Sequence, residues 1–299
     1  MSDKPIPLFV NPVAGRGRAA RKILRLRALL EQSRIATVLA ESRAPGDLEK
    51  IVLAAVDSGA SRILVAGGDG SIHEAVNGIM RSARSAALGV IPLGTGNDFA
   101  KACGIPLNWQ DAATLLAERI HNDPLQRFVD VGRMNERYFA NGAGIGFDAK
   151  VNRIARNIRW PKGDLVYLVA VLRAMWDGVI TPELEIRSTE LVYSGPLTLA
   201  NISNGPWVGG LFHIAPMAKN DDGEMDLVYA EPVSRPRILA LLPALMQGSH
   251  IGQPEISHRL IRHCDIRTRA PVPSHLDGEV QPLQTSFRIE VLEAALPLL

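Results

Sequence analysis

The chain has 299 residues, of which 46% are apolar and 21% are charged, and its net charge is +2. These proportions are ordinary for a folded globular protein and exclude a disordered chain, while the length is sufficient for two domains. The two cysteines, Cys103 and Cys264, lie far apart without metal-ligand spacing, which excludes a disulfide framework and favours a reducing compartment.

The first 130 residues alternate between short apolar runs and helical patterns. We predict strands at residues 6–10, 35–40, 62–66 and 87–91, and helices at residues 18–32, 47–58 and 71–80, with a short last helix ending near residue 104. Strands that alternate with helices favour parallel pairing through crossover connections. This part is therefore predicted to be an α/β domain with a parallel sheet.

After about residue 130 the pattern changes to strands separated by turns. We predict strands at residues 183–192, 197–203, 226–230, 261–268 and 286–291, and helices at residues 149–159, 165–177 and 235–247. Strands without intervening helices are typical of antiparallel sheets, so we predict a β-sandwich.

A glycine-rich loop, Gly67-Gly68-Asp69-Gly70, follows the third predicted strand. Glycine lets the backbone approach a ligand closely, and the start of the next helix favours phosphate. Ser71 with Glu74 matches a capping box, which predicts the helix start at this point. A carboxylate beside phosphate is repulsive unless a cation intervenes, so Asp69 is a candidate partner of Mg²⁺-bound water. An ordinary capped turn is the alternative for this string alone.

Two other strands are followed by similar loops. Gly94-Thr95-Gly96-Asn97-Asp98 opens the short helix, which Asn97 or Asp98 could cap. Residues 11–17 form the other loop, which lacks the Lys of a phosphate-binding P-loop. Because such loops gather at the carboxyl edge of an open α/β sheet, three of them together indicate a phosphate site.

These three loops, in this order and spacing, resemble the diacylglycerol kinase catalytic family. That family includes soluble bacterial diacylglycerol kinases, YegS-related lipid kinases, and sphingosine and ceramide kinases. The resemblance continues at residues 141–148, 215–226 and 277–279, and so covers nearly the whole chain. It implies a lipid kinase that transfers the γ-phosphoryl group of ATP to a lipid hydroxyl, such as that of diacylglycerol or of a related glycerolipid or sphingoid lipid.

The resemblance also implies the domains and the residues around ATP. Residues 1–130 would form the nucleotide domain, residues 131–285 the lipid-substrate sandwich, and residues 286–299 would return to the first domain. The residues implied to surround ATP are Asn11, Ser42, Gly67, Gly68, Asp69, Gly70, Ser71, Ile72, His73, Gly94, Thr95, Asn97 and Asp98. His73 departs from the family, in which Asn is common at this position.

A Mg²⁺ site and a proton acceptor are further implications of the resemblance. It assigns Mg²⁺ to the Asp222 carboxylate and to the backbone carbonyls of Lys219 and Glu224, an oxygen-only set that suits this ion. It assigns the acceptor of the hydroxyl proton to Asp277-Gly278-Glu279. Chemistry alone does not choose between the two carboxylates; we favour Glu279, and with Asp277 and Asp69 it completes the catalytic set. A plain β-turn with solvated carboxylates is the alternative.

A lipid substrate implies peripheral contact with a membrane. The sequence has neither a signal peptide nor an apolar run long enough to span a bilayer, so we expect a cytoplasmic protein with transient membrane association. Arg153, Arg156 and Arg159, with Lys150, Lys162 and Trp160 nearby, would form a basic helical stripe for this contact, or an ordinary solvated face. No motif indicates nucleic acid. A homo-oligomer is compatible with the sequence, but nothing in it supports one.

Two rival functions fit part of the pattern. An NAD kinase would share the Gly-Gly-Asp-Gly loop but phosphorylate a soluble hydroxyl. A non-catalytic lipid or nucleotide sensor would lack catalytic carboxylates. The loop at residues 94–98 and the Asp-Asp-Gly segment favour the lipid kinase over the NAD kinase, and the carboxylates at positions 69, 98, 277 and 279 argue against a sensor.

Overall fold

The computed structural model describes residues 4–12, 14–122, 127–158 and 165–299, without the side chains of residues 14–21. The chain divides into two compact units. The first unit comprises Met1–Val129 and Ala294–Leu299, and the second comprises Asp130–Glu293. The return to the first unit thus begins at Ala294 in the structure, whereas the sequence prediction gave residues 286–299.

The first unit is an α/β structure with a parallel sheet, as predicted. Its elements are β1 (Ile6–Val10), α1 (Ala14–Gln32), β2 (Thr37–Glu41), α2 (Asp47–Asp57), β3 (Arg62–Gly67), α3 (Asp69–Arg81), β4 (Ala87–Pro92), α4 (Asp98–Ala102) and α5 (Trp109–Asn122). The strands pair in the order β4-β3-β1-β2, all in parallel, and Leu298 pairs in parallel with Leu88 of β4. β3 and β4 are almost wholly buried because helices cover both faces of such a sheet.

Two helices of the first unit differ from the prediction. α1 begins at Ala14, so the predicted loop at residues 11–17 is largely helical. A glycine costs a helix about 1 kcal/mol, which the packing of Leu26 and Leu30 in the core outweighs. α5 was not predicted, although Trp109, Ala113 and Leu116 repeat at helical spacing and are buried.

The predicted capping box at Ser71 and Glu74 is wrong. α3 begins at Asp69 with Gly68 in the N-cap position, so Ser71 already lies inside the helix. The Glu74 carboxylate instead accepts hydrogen bonds from Gly46 N (2.9 Å) and Leu48 N (3.0 Å) at the start of α2. A carboxylate is favourable at any helix N-terminus, and the neighbouring helix offers these donors.

The second unit is antiparallel, which confirms the predicted sandwich class. Its elements are β5 (Arg127–Met134), β6 (Arg137–Phe139), β7 (Gly142–Gly146), α6 (Phe147–Ala155), α7 (Leu165–Trp176), β8 (Glu183–Arg187), β9 (Val192–Pro196), β10 (Leu199–Ser203), β11 (Met225–Ala230), α8 (Arg235–Gln247), β12 (Ile256–Ile261), β13 (His263–Leu276) and β14 (Glu279–Leu298). The strand order is β12-β11-β10-β7-β13-β14, and β8 with β9 forms a hairpin that joins β13. β5 begins in the first unit, and β14 ends there.

Two predicted strands of this unit are each two strands. Residues 183–192 fold into β8 and β9 because the Ser188 hydroxyl accepts hydrogen bonds from Glu190 N and Leu191 N and closes a turn. Residues 261–268 contain the end of β12 and the start of β13, which meet at Arg262. A short polar turn inside an apolar run has the same alternating pattern as the solvent face of one strand, so the sequence pattern does not reveal it.

The core of the second unit contains Phe139, Leu227, Ile266 and Phe287, each fully buried. Cys264 lies in the same core, and burial raises the pKa of its thiol to about 12. Neither cysteine forms a disulfide. Among the helices that the structure describes, none is long and apolar enough to span a bilayer.

Candidate functional site

The strands of the first unit end at one edge of the sheet, and the predicted nucleotide residues lie in the segments that follow. Asn11 follows β1 and Ser42 follows β2, while the two glycine loops follow β3 and β4. Asn11 N donates a hydrogen bond to Ala66 O (3.4 Å), and Ser42 N donates to Val10 O (3.0 Å). The structure therefore gathers these residues along the carboxyl edge, where α/β proteins bind ligands.

The two glycine loops touch through their backbones. A Cβ added to Gly94 would lie 2.5 Å from the Cα of Gly68, and one added to Gly68 would lie 2.9 Å from the Cα of Gly94. Leu93 N also donates a hydrogen bond to Gly67 O (2.8 Å). Separations this short exclude any side chain, so packing alone requires glycine at both positions.

Two carboxylates lie at the starts of α3 and α4. Asp69 Oδ1 accepts a hydrogen bond from Phe99 N at 3.3 Å, which ties the two helix starts together. Asp98 is buried, and its Oδ1 lies 3.3 Å from Lys101 Nζ. The first turn of α3 directs N–H groups and the positive end of the helix dipole to the same edge, an arrangement that favours an anion.

Asn97 shapes the second loop. It occupies the N-cap position of α4 with a left-handed φ of 51°, but its side chain does not cap the helix. Its Oδ1 accepts from Gly94 N (3.1 Å), and its Nδ2 donates to Gly94 O (3.2 Å). Of the two caps that the sequence left open, Asn97 and Asp98, the Asn97 side chain therefore does not cap α4.

The other predicted nucleotide residues differ in exposure. Thr95 is exposed at the tip of its loop, whereas Ser71, Ile72 and His73 are buried in α3. His73 O accepts a hydrogen bond from the Asn77 side chain (2.9 Å). The Thr95 side chain is thus accessible to solvent, whereas Ile72 and His73 pack into the interior.

In the second unit, Asp277 and Gly278 form the two-residue turn between β13 and β14. Both have a positive φ, 51° and 82°, which matches the type I′ turn preferred in hairpins. The Asp277 carboxylate accepts three backbone hydrogen bonds, from Ala140 N (3.0 Å), Asn141 N (2.8 Å) and Gly142 N (3.0 Å). These contacts make Asp277 an anchor of the turn.

We expect Asp277→Asn to lower the free energy of unfolding by about 2 kcal/mol, because the amide places an N–H group against backbone donors. Urea unfolding measures this loss. Asp265→Asn is the matched control, since Asp265 is half-exposed and pairs with Arg288 at the surface. Equal stability of the two variants would contradict the anchoring role.

Glu279 begins β14 and pairs with Arg156. Its Oε2 lies 2.8 Å from the Arg156 Nη1, and the glutamate side chain is 38% exposed. The carboxylate is therefore oriented by a guanidinium and remains accessible to a substrate. Arg156 was predicted as part of a basic stripe, and no signal in the sequence connects it with Glu279.

A polar cluster lies close to the turn. The Asp148 carboxylate Oδ2 lies 3.3 Å from His275 Nε2 and 3.2 Å from Asn201 Nδ2. His275 Nδ1 accepts a hydrogen bond from Gly278 N (3.2 Å), so Nε2 carries the proton of the neutral ring. His275 thus links Asp148 to the turn that precedes Glu279. The sequence contains both residues but gives no indication that they meet.

An apolar cavity of about 120 Å³ opens beside this cluster. Its walls come from α6, α7, α8 and the strands β10 and β11, with residues such as Phe147, Val171 and Leu242. Its wall is almost entirely apolar, and Asp148, Asn152 and Asn201 are among the few polar residues that line it. The cavity therefore joins a hydrocarbon-lined interior to a small group of hydrogen-bonding side chains.

The predicted Mg²⁺ residues lie in the turn before β11. Asp222 and Lys219 are exposed, and Asp222 Oδ1 accepts a hydrogen bond from Glu224 N (3.2 Å). Gly223, with a φ of 75°, donates its N–H to the buried Asp130 carboxylate (2.8 Å). The structure thus holds this turn firmly while leaving the Asp222 carboxylate in solvent. Among the described residues, no group of three or more His, Cys, Asp or Glu side chains is arranged to hold a metal ion.

The predicted basic stripe does not lie on a single helix. α6 ends at Ala155, earlier than predicted, and Arg156 turns to Glu279. Lys150, also assigned to the stripe, donates to Ala174 O (3.1 Å) and Gly178 O (2.6 Å). Arg159, Trp160 and Lys162 lie outside the described residues.

A buried histidine makes the second unit sensitive to acid. His250 is 1% exposed, and its Nε2 lies 2.9 Å from Ile214 O. Burial lowers its pKa, and burial does the same to His213. At acidic pH the unfolded chain therefore binds more protons at these histidines than the folded chain does. The free energy of unfolding thus falls as the pH decreases below the ordinary histidine pKa of about 6.5.

We expect the free energy of unfolding to decrease between about pH 7.5 and pH 5.5, and His250→Gln to flatten this dependence. Urea titrations at several pH values measure the slope. His263→Gln, at an exposed position, serves as the control and keeps the wild-type slope. A slope that is unchanged by His250→Gln would contradict the assignment.

The sequence matches two family models in succession. Residues 5–128 match the family described as Diacylglycerol kinase catalytic domain, and residues 142–299 match the YegS C-terminal NAD kinase beta sandwich-like domain. The two matches correspond to most of the first unit and most of the second.

Individual proteins are similar over most of their length. The chain is 31% identical to a diacylglycerol kinase of Mycobacterium tuberculosis, over 84% of this chain and 81% of that one. It is 27% identical to a diacylglycerol kinase of Bacillus subtilis, over 91% and 88% of the two chains. A crystal structure from Bacillus anthracis, of a protein proposed to be a diacylglycerol kinase, superposes with a TM-score of 0.80 at 25% identity and covers 100% of this chain and 97% of its own.

Proposed function

We propose that this chain, which belongs to the diacylglycerol kinase family of lipid kinases, transfers the γ-phosphoryl group of Mg-ATP to the hydroxyl of a lipid. The acceptor would be diacylglycerol or a related glycerolipid or sphingoid lipid. Membership of the family is shown by the comparisons. The proposal adds four points: the use of ATP, the use of Mg²⁺, the class of acceptor and the roles of individual residues.

One observation carries the lipid half of the proposal: two residues that line the apolar cavity lie next to the Asp277-Gly278-Glu279 turn. A Cβ added to Gly278 would lie 3.5 Å from Asn152 Oδ1 and 3.8 Å from the Tyr167 hydroxyl, and both residues line the cavity. A hydrocarbon chain in the cavity would thus leave its hydroxyl-bearing end beside the candidate base. A polar, soluble acceptor would not be expected to bind in such an apolar cavity.

The ATP half rests on the carboxyl edge of the first unit. Backbone N–H groups at the start of α3 and the close approach of Gly68 to Gly94 suit the binding of phosphate groups. We propose that Asn11, Ser42, Thr95 and the residues of the two loops surround the nucleotide. Asp69, held by Phe99 N, would orient water around the metal that neutralises the phosphates.

The chemistry assigned to Glu279 is proton acceptance. As the lipid oxygen bonds to the γ-phosphorus, the bond from phosphorus to the ADP oxygen breaks, and the hydroxyl proton passes to the Glu279 carboxylate. Arg156 fixes the orientation of that carboxylate. Asp277, with three N–H donors on its oxygens, holds the turn in place and is proposed as a positioning residue.

The donor set at residues 219–224 fits Mg²⁺. An exposed carboxylate on Asp222 and backbone carbonyls of Lys219 and Glu224 are hard oxygen ligands, and the open position leaves room for the waters that Mg²⁺ retains. Bound there, the ion would offset negative charge on the phosphates. The hydrogen bond from Gly223 N to Asp130 keeps the turn in a fixed conformation.

The experiment that tests this function compares two acceptors. Purified protein is incubated with Mg²⁺ and ATP labelled in the γ-phosphate, together with either a mixed lipid extract or NAD. We expect label in the lipid fraction only. Label that enters NAD alone would support the NAD kinase alternative, and label in neither would support a sensor; both results would overturn the proposal.

A further inference from the structure

Helix α7 is apolar on two opposite faces. Its inner face, with Val166, Ala170 and Ala174, is buried in the second unit. On the outer face, Leu165 is 55%, Leu172 45% and Trp176 83% exposed. At 100° per residue these three side chains lie within about 40° of one another around the helix axis. A helix that is apolar all round is normally covered on all sides, so the outer face requires an occupant.

Helix α8 also carries exposed apolar side chains, next to the row that faces the cavity. Its inner residues, Ile238, Leu242 and Leu245, line the cavity. Its outer residues include Leu239, which is 47% exposed, and Met246, which is 37% exposed. We call these five outer side chains, at positions 165, 172, 176, 239 and 246, the outer helical surface.

The charges on both helices have one sign. Neither α7 nor α8 contains an acidic residue, and their charged side chains are Arg173, Arg235 and Arg237; Asp177 follows directly after α7. Arg173 and Arg235 are exposed, while Arg237 pairs with Glu255. An apolar face with arginines at its margin and an exposed tryptophan suits the interface of an anionic bilayer.

The same two helices form a wall of the acceptor cavity. Tyr167 and Val171 of α7 line it together with the inner residues of α8. Apolar surfaces therefore lie on two sides of α7, one facing the cavity and one facing outward, while α8 carries exposed apolar side chains beside its cavity-lining row.

We propose that the outer helical surface docks the protein on an anionic lipid bilayer, with Leu165, Leu172 and Trp176 inserted among the lipids. This inference rests on the proposed function, because the acceptor must be drawn from that bilayer. The contact is peripheral, since it uses helix faces rather than a spanning segment.

Vesicle flotation with the full chain tests the docking surface. Vesicles of phosphatidylcholine alone are compared with vesicles of equal parts phosphatidylcholine and phosphatidylglycerol. The double variant Leu172→Ser with Trp176→Ser should bind the mixed vesicles about tenfold or more weakly than wild type, because it removes two inserted side chains. Val192→Ser, at a 77% exposed apolar position on β9, is the matched control and should bind like wild type.

A kinase assay with a short-chain acceptor, dispersed without vesicles, separates this inference from the proposed function. The double variant should match wild type on that acceptor and be slower only on vesicles. Wild-type inactivity towards the short-chain acceptor would count against the function, whereas the flotation result reports on docking alone. If the double variant floats with vesicles as wild type does, the docking proposal is wrong. In that case, a wild-type protein that is dimeric and a double variant that is monomeric would show that the outer helical surface is a dimer interface instead.

Discussion

Glu279→Gln should abolish phosphoryl transfer and leave nucleotide binding intact. The amide has nearly the shape of the carboxylate but cannot accept the hydroxyl proton, and loss of a general base typically costs about 10²- to 10⁴-fold in kcat. Steady-state kinetics on the lipid acceptor measures this loss, and calorimetric titration with ATP measures the retained affinity.

Glu290→Gln is the matched control for this result. Glu290 lies on the same strand, β14, and also pairs with an arginine, Arg133, with Nη2 2.6 Å from Oε1. It has no proposed part in the reaction, so its variant should keep wild-type kcat. If Glu279→Gln retained wild-type turnover, its assignment as the base would be wrong, and Asp277 would be the next candidate.

Gly94→Ala should weaken nucleotide binding. The new Cβ would lie 2.5 Å from the Cα of Gly68 and 2.7 Å from Asn97 Oδ1, so both glycine loops must move apart. We expect at least about tenfold weaker ATP affinity and a loss of about 1–3 kcal/mol in stability, as for other overpacked sites. Calorimetric titration and urea unfolding measure the two effects.

Gly89→Ala controls for the loss of stability. A Cβ there would meet Leu64 Cδ2 at 2.7 Å and Leu116 Cδ1 at 2.9 Å, within the core of the same unit and away from the loops. It should lower stability while the folded protein binds ATP normally. Wild-type affinity in Gly94→Ala would contradict a nucleotide site built from the two loops in contact.

The sequence predicts the first unit better than the second for a physical reason. Parallel strands such as β3 and β4 are buried on both faces, so they are continuous apolar runs that a single sequence displays clearly. In the second unit, strands are interrupted by turns such as the one at Ser188, whose hydroxyl accepts a hydrogen bond from Glu190 N and stabilises the turn. The apolar pattern by itself does not distinguish such a turn from the solvent face of a strand.

The residue types of the candidate site are visible in the sequence, but their partners are not. Asp277 and Glu279 stand two residues apart and look equivalent as bases. Only the fold separates them, because Asp277 meets three backbone N–H groups and Glu279 meets Arg156. Contacts between residues more than 120 positions apart in the chain, such as Asp148 with His275, depend on strand order and register, which a motif does not encode.

At helix starts, too, the sequence shows the residue type but not its partner. Glu74 stands where a capping-box glutamate would stand, yet it caps α2, which begins more than twenty residues earlier. A carboxylate binds whichever free N–H groups the packing brings near. Local pattern therefore identified the right side chain and the wrong partner.

The central claim, transfer of the γ-phosphoryl group to a lipid, is tested most directly by parallel incubations of the protein and Mg²⁺ with ATP labelled in the γ- or the α-phosphate. A lipid extract serves as the acceptor, and the organic phase is counted and analysed by mass spectrometry. We expect a lipid that carries one additional phosphate, labelled from the γ-position only and absent with Glu279→Gln. A lipid fraction without γ-label in the wild-type reaction would contradict the account.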